Sequence, residues 1–195
     1  MKGANDILNK IFGSPHKVKL IRFFISNPDR HFSFKEIFSR TKIQSQALRK
    51  EILILSKINF IKSSRKNGVD RWLLSQSFLF LRPLKNLILS AAPVSGDELL
   101  EKLRRVGRVK LIILSGVLIQ EENDSRIDIM IVGDGIKKGR FIKILKNIES
   151  EIGREISYVL MAEKEFRYRF DIRDKFVREI LESPHQKILD RLKIF

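Results

Sequence analysis

Hydrophobic residues are concentrated between positions 18 and 25, and this run ends at Asn27-Pro28. Pro15, with Ser14 before it, suits the first turn of a helix, where the N–H that proline lacks would have no partner in the helix. The density of apolar residues leaves little polar surface on this segment. The pattern predicts a first helix that is largely buried.

A second, shorter helix is predicted from Phe34 to about Arg40. It is preceded by the sequence Ser-Phe-Lys-Glu at positions 33–36, which is the capping-box pattern. In that motif the Ser33 hydroxyl accepts a hydrogen bond from the backbone N–H three residues on, and the Glu36 side chain reaches back to the N-cap backbone.

A longer helix is predicted to follow the three-residue connection at 41–43 and to run through about Lys57. Apolar residues recur there at helical spacing, and Ile43 is placed to pack against the first of them: Leu48, Ile52, Leu55 and Ile58. A helix, a short turn and a longer helix form the helix-turn-helix pattern. The opposite face of the longer helix is polar and suits contact with base edges and phosphates in a DNA major groove, through Ser45, Gln46, Arg49 and Lys50.

Asn67-Gly68 is a strong hairpin signal, because both residues tolerate positive φ angles. A two-residue turn there sets three pairs opposite each other: Lys66 and Val69, Arg65 and Asp70, and Ser63 and Trp72. We expect a wing whose basic residues near the tip contact the phosphate backbone beside the groove, namely Arg65, Lys66 and Arg71.

Residues 78–91 predict an apolar helix with Pro83 in its first turn. One stripe of this helix is too apolar to remain exposed, and it consists of Leu84, Leu87, Ile88 and Ala91. The stripe packs on the first domain, on the second domain, or on its copy in a homodimer, and of these we favour the homodimer.

The second half of the chain predicts an α/β layer around a small mixed sheet. It begins with a Ser95-to-Glu98 capping pattern and a helix to about Val106. Further helices are expected over about 138–152 and after the last of three aliphatic runs, which are Val109–Leu114, Ile127–Val132 and Ile156–Met161. The predicted class is α+β, with domains at 1–77 and 93–195 and a linker helix at 78–92.

The two halves of the chain differ in net charge. The chain carries a net charge of +16, and residues 1–92 hold 18 Lys and Arg against 5 Asp and Glu, whereas residues 93–195 hold 21 against 18. Such a basic first half indicates a polyanionic partner or an acidic membrane surface. The chain has no cysteine, and its three histidines lie far apart, so we expect no disulfide, thiol nucleophile or metal site. The longest apolar stretch, Leu111–Ile119, is half the length that spans a bilayer, which predicts a cytoplasmic protein without a membrane partner.

Residues 15–74 resemble the winged helix-turn-helix domain of prokaryotic transcriptional regulators. The resemblance is carried by T-K-I-Q-S-Q-A-L-R-K-E-I-L-I-L-S-K-I-N-F-I, which is similar to their turn, recognition helix and first wing strand. It implies sequence-specific binding of double-stranded DNA, with Gln44, Ser45, Gln46, Arg49 and Lys50 in the recognition positions. RNA binding and protein docking are the alternatives for this half.

The stretch L-I-I-L-S-G-V-L-I-Q-E-E-N-D-S-R-I-D-I-M-I-V-G-D resembles the core hairpin of the minimal nucleotidyltransferase family. The residues that match are Ser115, Gly116, Asp124, Ser125 and Asp128. Val117 replaces the family's serine, Arg126 stands at the first metal-binding aspartate, and the third aliphatic run contains no acid. Nucleotidyl transfer needs carboxylates that converge on Mg²⁺. We therefore expect a vestigial motif without catalytic residues, metal or cofactor, and the alternative is that Asp128 retains nucleotide binding.

These patterns predict a DNA-binding transcriptional regulator that is not an enzyme. Its second domain serves as a scaffold, a dimerisation unit or a sensor of a small ligand. Two alternatives stay open. One is an antitoxin-like autorepressor of a toxin–antitoxin pair, and the other is an active nucleotidyltransferase that acts on nucleic acid or protein.

Overall fold

The computed structural model describes residues 4–91, 94–119 and 127–194. The fold is α+β, as the sequence predicted, with helices and two sheets in these residues. The chain divides into two compact units. The first comprises Met1–Pro93 with Ile148–Arg154, and the second comprises Val94–Asn147 with Glu155–Phe195.

The first unit contains five helices and a three-stranded antiparallel sheet among its described residues before position 93. Its strands lie in the order β1-β3-β2. Along the chain the elements are α1 (Ala4–Ile11), α2 (Pro15–Ile25), β1 (Phe32–Ser33), α3 (Phe34–Thr41), α4 (Ser45–Lys57), β2 (Ile61–Lys66), β3 (Val69–Leu74) and α5 (Leu81–Ser90).

The core of the first unit is built around α2, which is buried on most sides as predicted. Ser14 caps this helix by accepting a hydrogen bond from the Lys17 N–H at 3.1 Å, and Pro15 occupies its first position. The rings of Phe23, Phe24 and Phe32 pack against one another at centroid distances from 4.6 to 6.4 Å. Aromatic packing of this kind anchors strand β1 to the helix.

Helix α5 packs on the same core, and its buried side differs from the predicted stripe. Ile88 and Ala91 are buried and Leu84 is half-buried within the chain, whereas Leu87 is 44% exposed, so its packing on a second copy stays a prediction. A period of 3.6 residues puts Leu84, Ile88 and Ala91 on one side and turns Leu87 toward its edge. The apolar side of the helix is thus covered within one chain, except at Leu87.

The second unit contains a four-stranded sheet in the order β6-β5-β4-β7. Strands β5 and β6 are parallel and the other pairs are antiparallel, which confirms the predicted mixed sheet. The elements are α6 (Gly96–Leu103), β4 (Arg108–Ser115), β5 (Ile129–Asp134), α7 (Lys138–Ile152, in this unit up to Asn147), β6 (Tyr158–Met161), α8 (Glu163–Asp171), α9 (Lys175–Glu182) and β7 (His185–Asp190).

One face of this sheet forms an apolar layer with α8 and α9. The buried side chains come from β4, β5, β6 and the two helices, and include Leu111, Ile113, Met130, Val132, Met161, Phe166, Val177 and Ile180. The three predicted strands are all present. Strand β7 was not predicted, because His-Gln-Lys-Ile-Leu-Asp lacks the aliphatic run that marked the others. Among the residues that the structure describes, no helix has the length and apolar character to cross a membrane.

Candidate nucleic-acid interface and the Asp128 site

The connection between α3 and α4 has a fixed geometry. Helix α3 ends at Thr41, and Lys42 adopts a left-handed conformation with φ of 55°. The buried Thr41 hydroxyl donates to the Ile37 carbonyl at 2.8 Å and accepts from the Ile43 N–H at 3.4 Å. Ile43 is itself buried, as the predicted contact with Leu48 requires. The turn therefore sets where α4 begins, at Ser45.

Helix α4 divides into a buried face and an exposed face. Leu48, Ile52 and Leu55 are buried, whereas Ile58 lies just beyond the helix and is exposed. The residues that the sequence predicts to contact DNA lie at the N-terminal end of α4, and all of them are exposed. They are the N-cap residue Gln44 and the helix residues Ser45, Gln46, Arg49 and Lys50. The structure therefore brings these five residues together on one surface.

Glu51 is a buried acid on the apolar face of α4, and sequence analysis missed it. Its carboxylate accepts a hydrogen bond of 2.6 Å from the Ser14 hydroxyl, the same hydroxyl that caps α2. The bond links the start of α2 to the middle of α4 and so fixes the direction of α4. The available signal was that Glu51 falls three residues after Leu48 and four before Leu55, on the face that packs inward.

Arg49 stacks on an aromatic ring of the neighbouring helix. Its guanidinium carbon lies 4.6 Å from the centroid of the Phe34 ring, a cation–π geometry. Phe34 is the first residue of α3 and packs against the core. Stacking restricts the rotamers of Arg49 and leaves the edge of its guanidinium for hydrogen bonds in the plane of the group.

The β2–β3 hairpin has the predicted register, with Lys66 opposite Val69, Arg65 opposite Asp70 and Ser63 opposite Trp72. Asn67 and Gly68 have φ angles of 51° and 76°, as the two-residue turn requires. Arg65 lies 3.9 Å from the Asp70 carboxylate and donates to the Gly68 carbonyl at 3.4 Å. Lys66 is exposed at the tip.

Arg71 lies apart from the tip. It is opposite Ser64 on one side and Ser33 on the other, and its guanidinium is 3.8 Å from the Glu36 carboxylate. Glu36 completes the predicted capping box by accepting from the backbone N–H and the hydroxyl of Ser33. These two hydrogen bonds, with the charges of Arg71 and Arg30, hold the pKa of Glu36 below its ordinary value.

In the second unit, Asp128 is buried and its carboxylate accepts two backbone hydrogen bonds. Oδ2 accepts from the Ser157 N–H at 2.8 Å, and Oδ1 accepts from the Val117 N–H at 3.4 Å. The Asp128 carbonyl also accepts from the Ser115 N–H at 2.9 Å. Asp128 therefore holds together the start of β5, the end of β4 and the segment before β6.

The other residues of the nucleotidyltransferase-like motif are only partly described. Ser115 is the last residue of β4, and its hydroxyl donates to the Ile127 carbonyl. Gly116 has φ of 56° and begins a single 3-10 turn at Gly116–Ile119. Asp124, Ser125 and Arg126 lie outside the described residues. Across the residues that are described, no group of three or more His, Cys, Asp or Glu side chains is placed to hold a metal ion.

The chain matches no protein-family model, and no curated protein or solved structure matches it either.

Proposed function

We propose that this chain is a cytoplasmic transcriptional regulator that binds double-stranded DNA through its first unit, which acts as a winged helix-turn-helix domain. The observation that carries the proposal is the surface of α4. Five polar or basic residues are exposed at the N-terminal end of a helix whose other face is tied to the core by Leu48, Ile52 and the Ser14–Glu51 hydrogen bond.

The order of elements supports this reading. A helix, a short strand, two further helices and a hairpin follow one another, and the short strand pairs with the second strand of the hairpin. In winged domains the second helix of the helix-turn-helix enters the major groove with its N-terminal residues toward the bases. The hairpin, with Arg65 and Lys66 at its tip, then contacts phosphates beside the groove.

Charge gives the first half its affinity for DNA. The net charge of +13 over residues 1–92 supplies long-range attraction to a polyanion, and the exposed Lys50 and Lys66 supply phosphate contacts. Gln44, Gln46 and Arg49 carry side chains that form paired hydrogen bonds with base edges in the major groove. Affinity and sequence preference thus reside in different side chains.

The second unit is proposed to have no nucleotidyltransferase activity and to act as a scaffold or ligand-sensing unit. Asp128 supports this, because its two carboxylate oxygens accept the N–H groups of Ser157 and Val117. The strand β6 reads Tyr-Val-Leu-Met and so offers no carboxylate. A two-metal centre needs several carboxylate oxygens that are available to the ions.

The experiment is a titration of labelled duplex DNA, first enriched by selection from a genomic library, at several salt concentrations. Neutralisation of roughly 5 phosphates should make the logarithm of the binding constant fall with that of the salt concentration at a slope of about −0.9 per phosphate. Gln46→Ala with Arg49→Ala should reduce the difference between selected and random duplexes. Lys66→Ala should weaken both about equally and lower the slope by about 1.

Lys175→Ala is the matched control, since it removes one exposed positive charge from helix α9 of the second unit. It should change neither the affinity nor the sequence preference. A binding constant for DNA that does not respond to salt, or a Gln46 and Arg49 double variant with unchanged sequence preference, would contradict the proposed interface.

A further inference from the structure

A basic cavity lies in the second unit, away from the Asp128 site. It has a volume of about 830 Å³ and is formed where β4 begins, by the 3-10 turn before β4, the first turns of α8 and the residues after β7. Six of the side chains that line it are cationic: Arg104, Arg105, Arg108, Lys110, Arg167 and Arg191.

Two glutamates partly neutralise these cations. Glu101 binds Arg104 at 2.5 Å and Arg105 at 3.1 Å, and Glu163, which lines the cavity, accepts from Lys110 and from Arg167. The hydrogen bonds from Lys110 and Arg167 hold the pKa of Glu163 below its ordinary value, so this acid is ionised at neutral pH. Two further carboxylates contact the lining, since Asp134 accepts from the Glu163 N–H at 3.4 Å and Asp190 accepts from the Leu192 N–H at 3.0 Å. The six lining cations therefore stand against four acids.

Arg108 and Arg191 carry the part of this charge that the protein leaves uncompensated. Within the described ranges, their side chains form no hydrogen bond and no ion pair. Like charges crowded on one concave surface raise the free energy of the folded state, and an anion bound among them removes that repulsion.

The walls of the cavity are held by backbone contacts. Arg191 donates its N–H to the Lys110 carbonyl at 2.8 Å, which places its side chain beside the start of β4. The N–H groups of Leu192 and Lys193 donate to the Asp190 carboxylate at 3.0 Å and fix the turn after β7. At Gly107, a Cβ would lie 2.8 Å from the Gly135 carbonyl oxygen, so only glycine allows this close approach.

The cavity and the nucleotidyltransferase-like motif occupy opposite ends of β4. Arg108 is the first residue of that strand and Ser115 is the last, next to Gly116 and the carbonyl of Asp128. A strand advances about 3.4 Å per residue, so the seven steps from Arg108 to Ser115 span roughly 24 Å. Any ligand of the cavity is therefore independent of Asp128.

We propose that this cavity binds a small ligand with at least two linked phosphate groups, either a free inorganic oligophosphate or the oligophosphate moiety of a nucleotide. Guanidinium groups form paired hydrogen bonds with phosphate oxygens, and five of the six cations are arginines. Two linked phosphate groups carry about two or more negative charges near neutral pH, which matches the two cations, Arg108 and Arg191, that have no acidic partner among the described residues. The volume lies within the range of small-ligand pockets, about 300–1,000 Å³.

Calorimetric titration of the full chain with inorganic tripolyphosphate, in buffer of near-physiological ionic strength, tests this. We expect one saturable site in the wild type. The double variant Arg108→Ala, Arg191→Ala should bind at least about tenfold more weakly, because charge-assisted hydrogen bonds are lost. Arg178→Ala, on α9 and outside the cavity lining, removes a positive charge from the same unit and should bind like the wild type.

The substitution Glu163→Gln keeps the size of the side chain at the start of α8 and removes its negative charge from the cavity. The variant should therefore bind tripolyphosphate more tightly than the wild type. A gain of affinity does not result from unfolding, and this variant therefore tests the cavity even if the double variant is unstable. ATP, titrated in parallel, tells whether the site favours a nucleotide or the free oligophosphate. The inference is wrong if neither tripolyphosphate nor ATP saturates the wild type; saturation by ATP alone would identify a nucleotide as the ligand. Unchanged affinity in both the double variant and Glu163→Gln also overturns it.

Discussion

Asp128 shows how one buried carboxylate organises one end of a sheet. It joins the backbone at Val117 to the backbone at Ser157, two segments that are far apart in the sequence. The replacement Asp128→Asn keeps the size of the side chain but presents an NH₂ group to one of these donors. We expect a loss of about 1–3 kcal/mol in the free energy of unfolding, because a buried N–H is left without an acceptor. Urea denaturation measures it.

The control for this prediction is Asp171→Asn, at the exposed end of α8, where the change should stay within about 0.5 kcal/mol. The same two variants serve a label-transfer assay with Mg²⁺ or Mn²⁺ and nucleoside triphosphates. Metal-dependent transfer by the wild type that disappears in Asp128→Asn would show that this carboxylate is catalytic and that its proposed structural role is incomplete.

Sequence reasoning found Asp128 and missed what it contacts. Two of its partners are backbone N–H groups, which every residue except proline carries, so no side-chain pattern marks them. Glu51 was missed for a related reason. Its partner Ser14 lies 37 residues away, and only the packing of α2 against α4 brings the two together. Residues that act through distant partners cannot be assigned from local spacing.

At the scale of the element, the capping box of α3 gives a prediction about pH. The pKa of Glu36 is lowered in the folded state, first by the backbone N–H of Ser33 and then by its hydroxyl. The stabilisation is fully present above the ordinary glutamate pKa of 4.5 and is lost as the pH falls below it through the lower folded-state pKa. The unfolding temperature of the wild type should therefore fall as the pH drops below 4.5, and Glu36→Gln should make this fall smaller.

Because Glu36 is partly exposed, the effect is expected to be small, about that of losing a helix cap, ~1 kcal/mol at neutral pH. Glu98→Gln is the matched control. Glu98 occupies the same position after Ser95 in α6, where the structure shows the Ser95 hydroxyl bond and a Lys102 ion pair. A Glu36→Gln protein whose melting temperature keeps the full acid dependence of the wild type would refute the assignment.

The elements that were predicted share strong local signals. Capping residues marked α2, α3 and α6, and the Asn67-Gly68 turn fixed the register of the hairpin. Helix α1 and strands β1 and β7 were not predicted, and the two strands have weak local signals. Strand β1 has two residues and exists because β3 pairs with it, and β7 is half-exposed at a sheet edge. Tertiary pairing, which the local sequence does not encode, creates such strands.

At the scale of the molecule, the surface beside α5 bears on self-association. Leu87 lies on α5 and is 44% exposed, and Phe80, the residue that precedes the helix, is 61% exposed. Leu79, next to them, is 83% exposed. We expect a homodimer through this surface, because large exposed apolar side chains that lie together favour association. Light scattering should give twice the chain mass.

Leu87→Glu should return the mass to that of one chain without lowering the unfolding temperature of the monomer, since Leu87 is outside the core. Ile58→Glu is the control, at a hydrophobic side chain that is 52% exposed elsewhere in the first unit. It should leave the mass unchanged. A wild-type chain that is monomeric at micromolar concentration would contradict the homodimer and would leave the proposed DNA-binding surface of α4 unaffected.

The position of β7 makes the folding of the second unit depend on residues 185–190, which follow the other described elements of that unit. Strand β4 leaves the ribosome early, yet it pairs with β7, which follows every other element of the unit. Until residues 185–190 are made, one edge of β4 has unpaired N–H and C=O groups beside apolar side chains from Leu111 to Leu114. An open apolar edge pairs readily with another chain. A polypeptide that ends before β7 is therefore expected to aggregate through the open edge of β4.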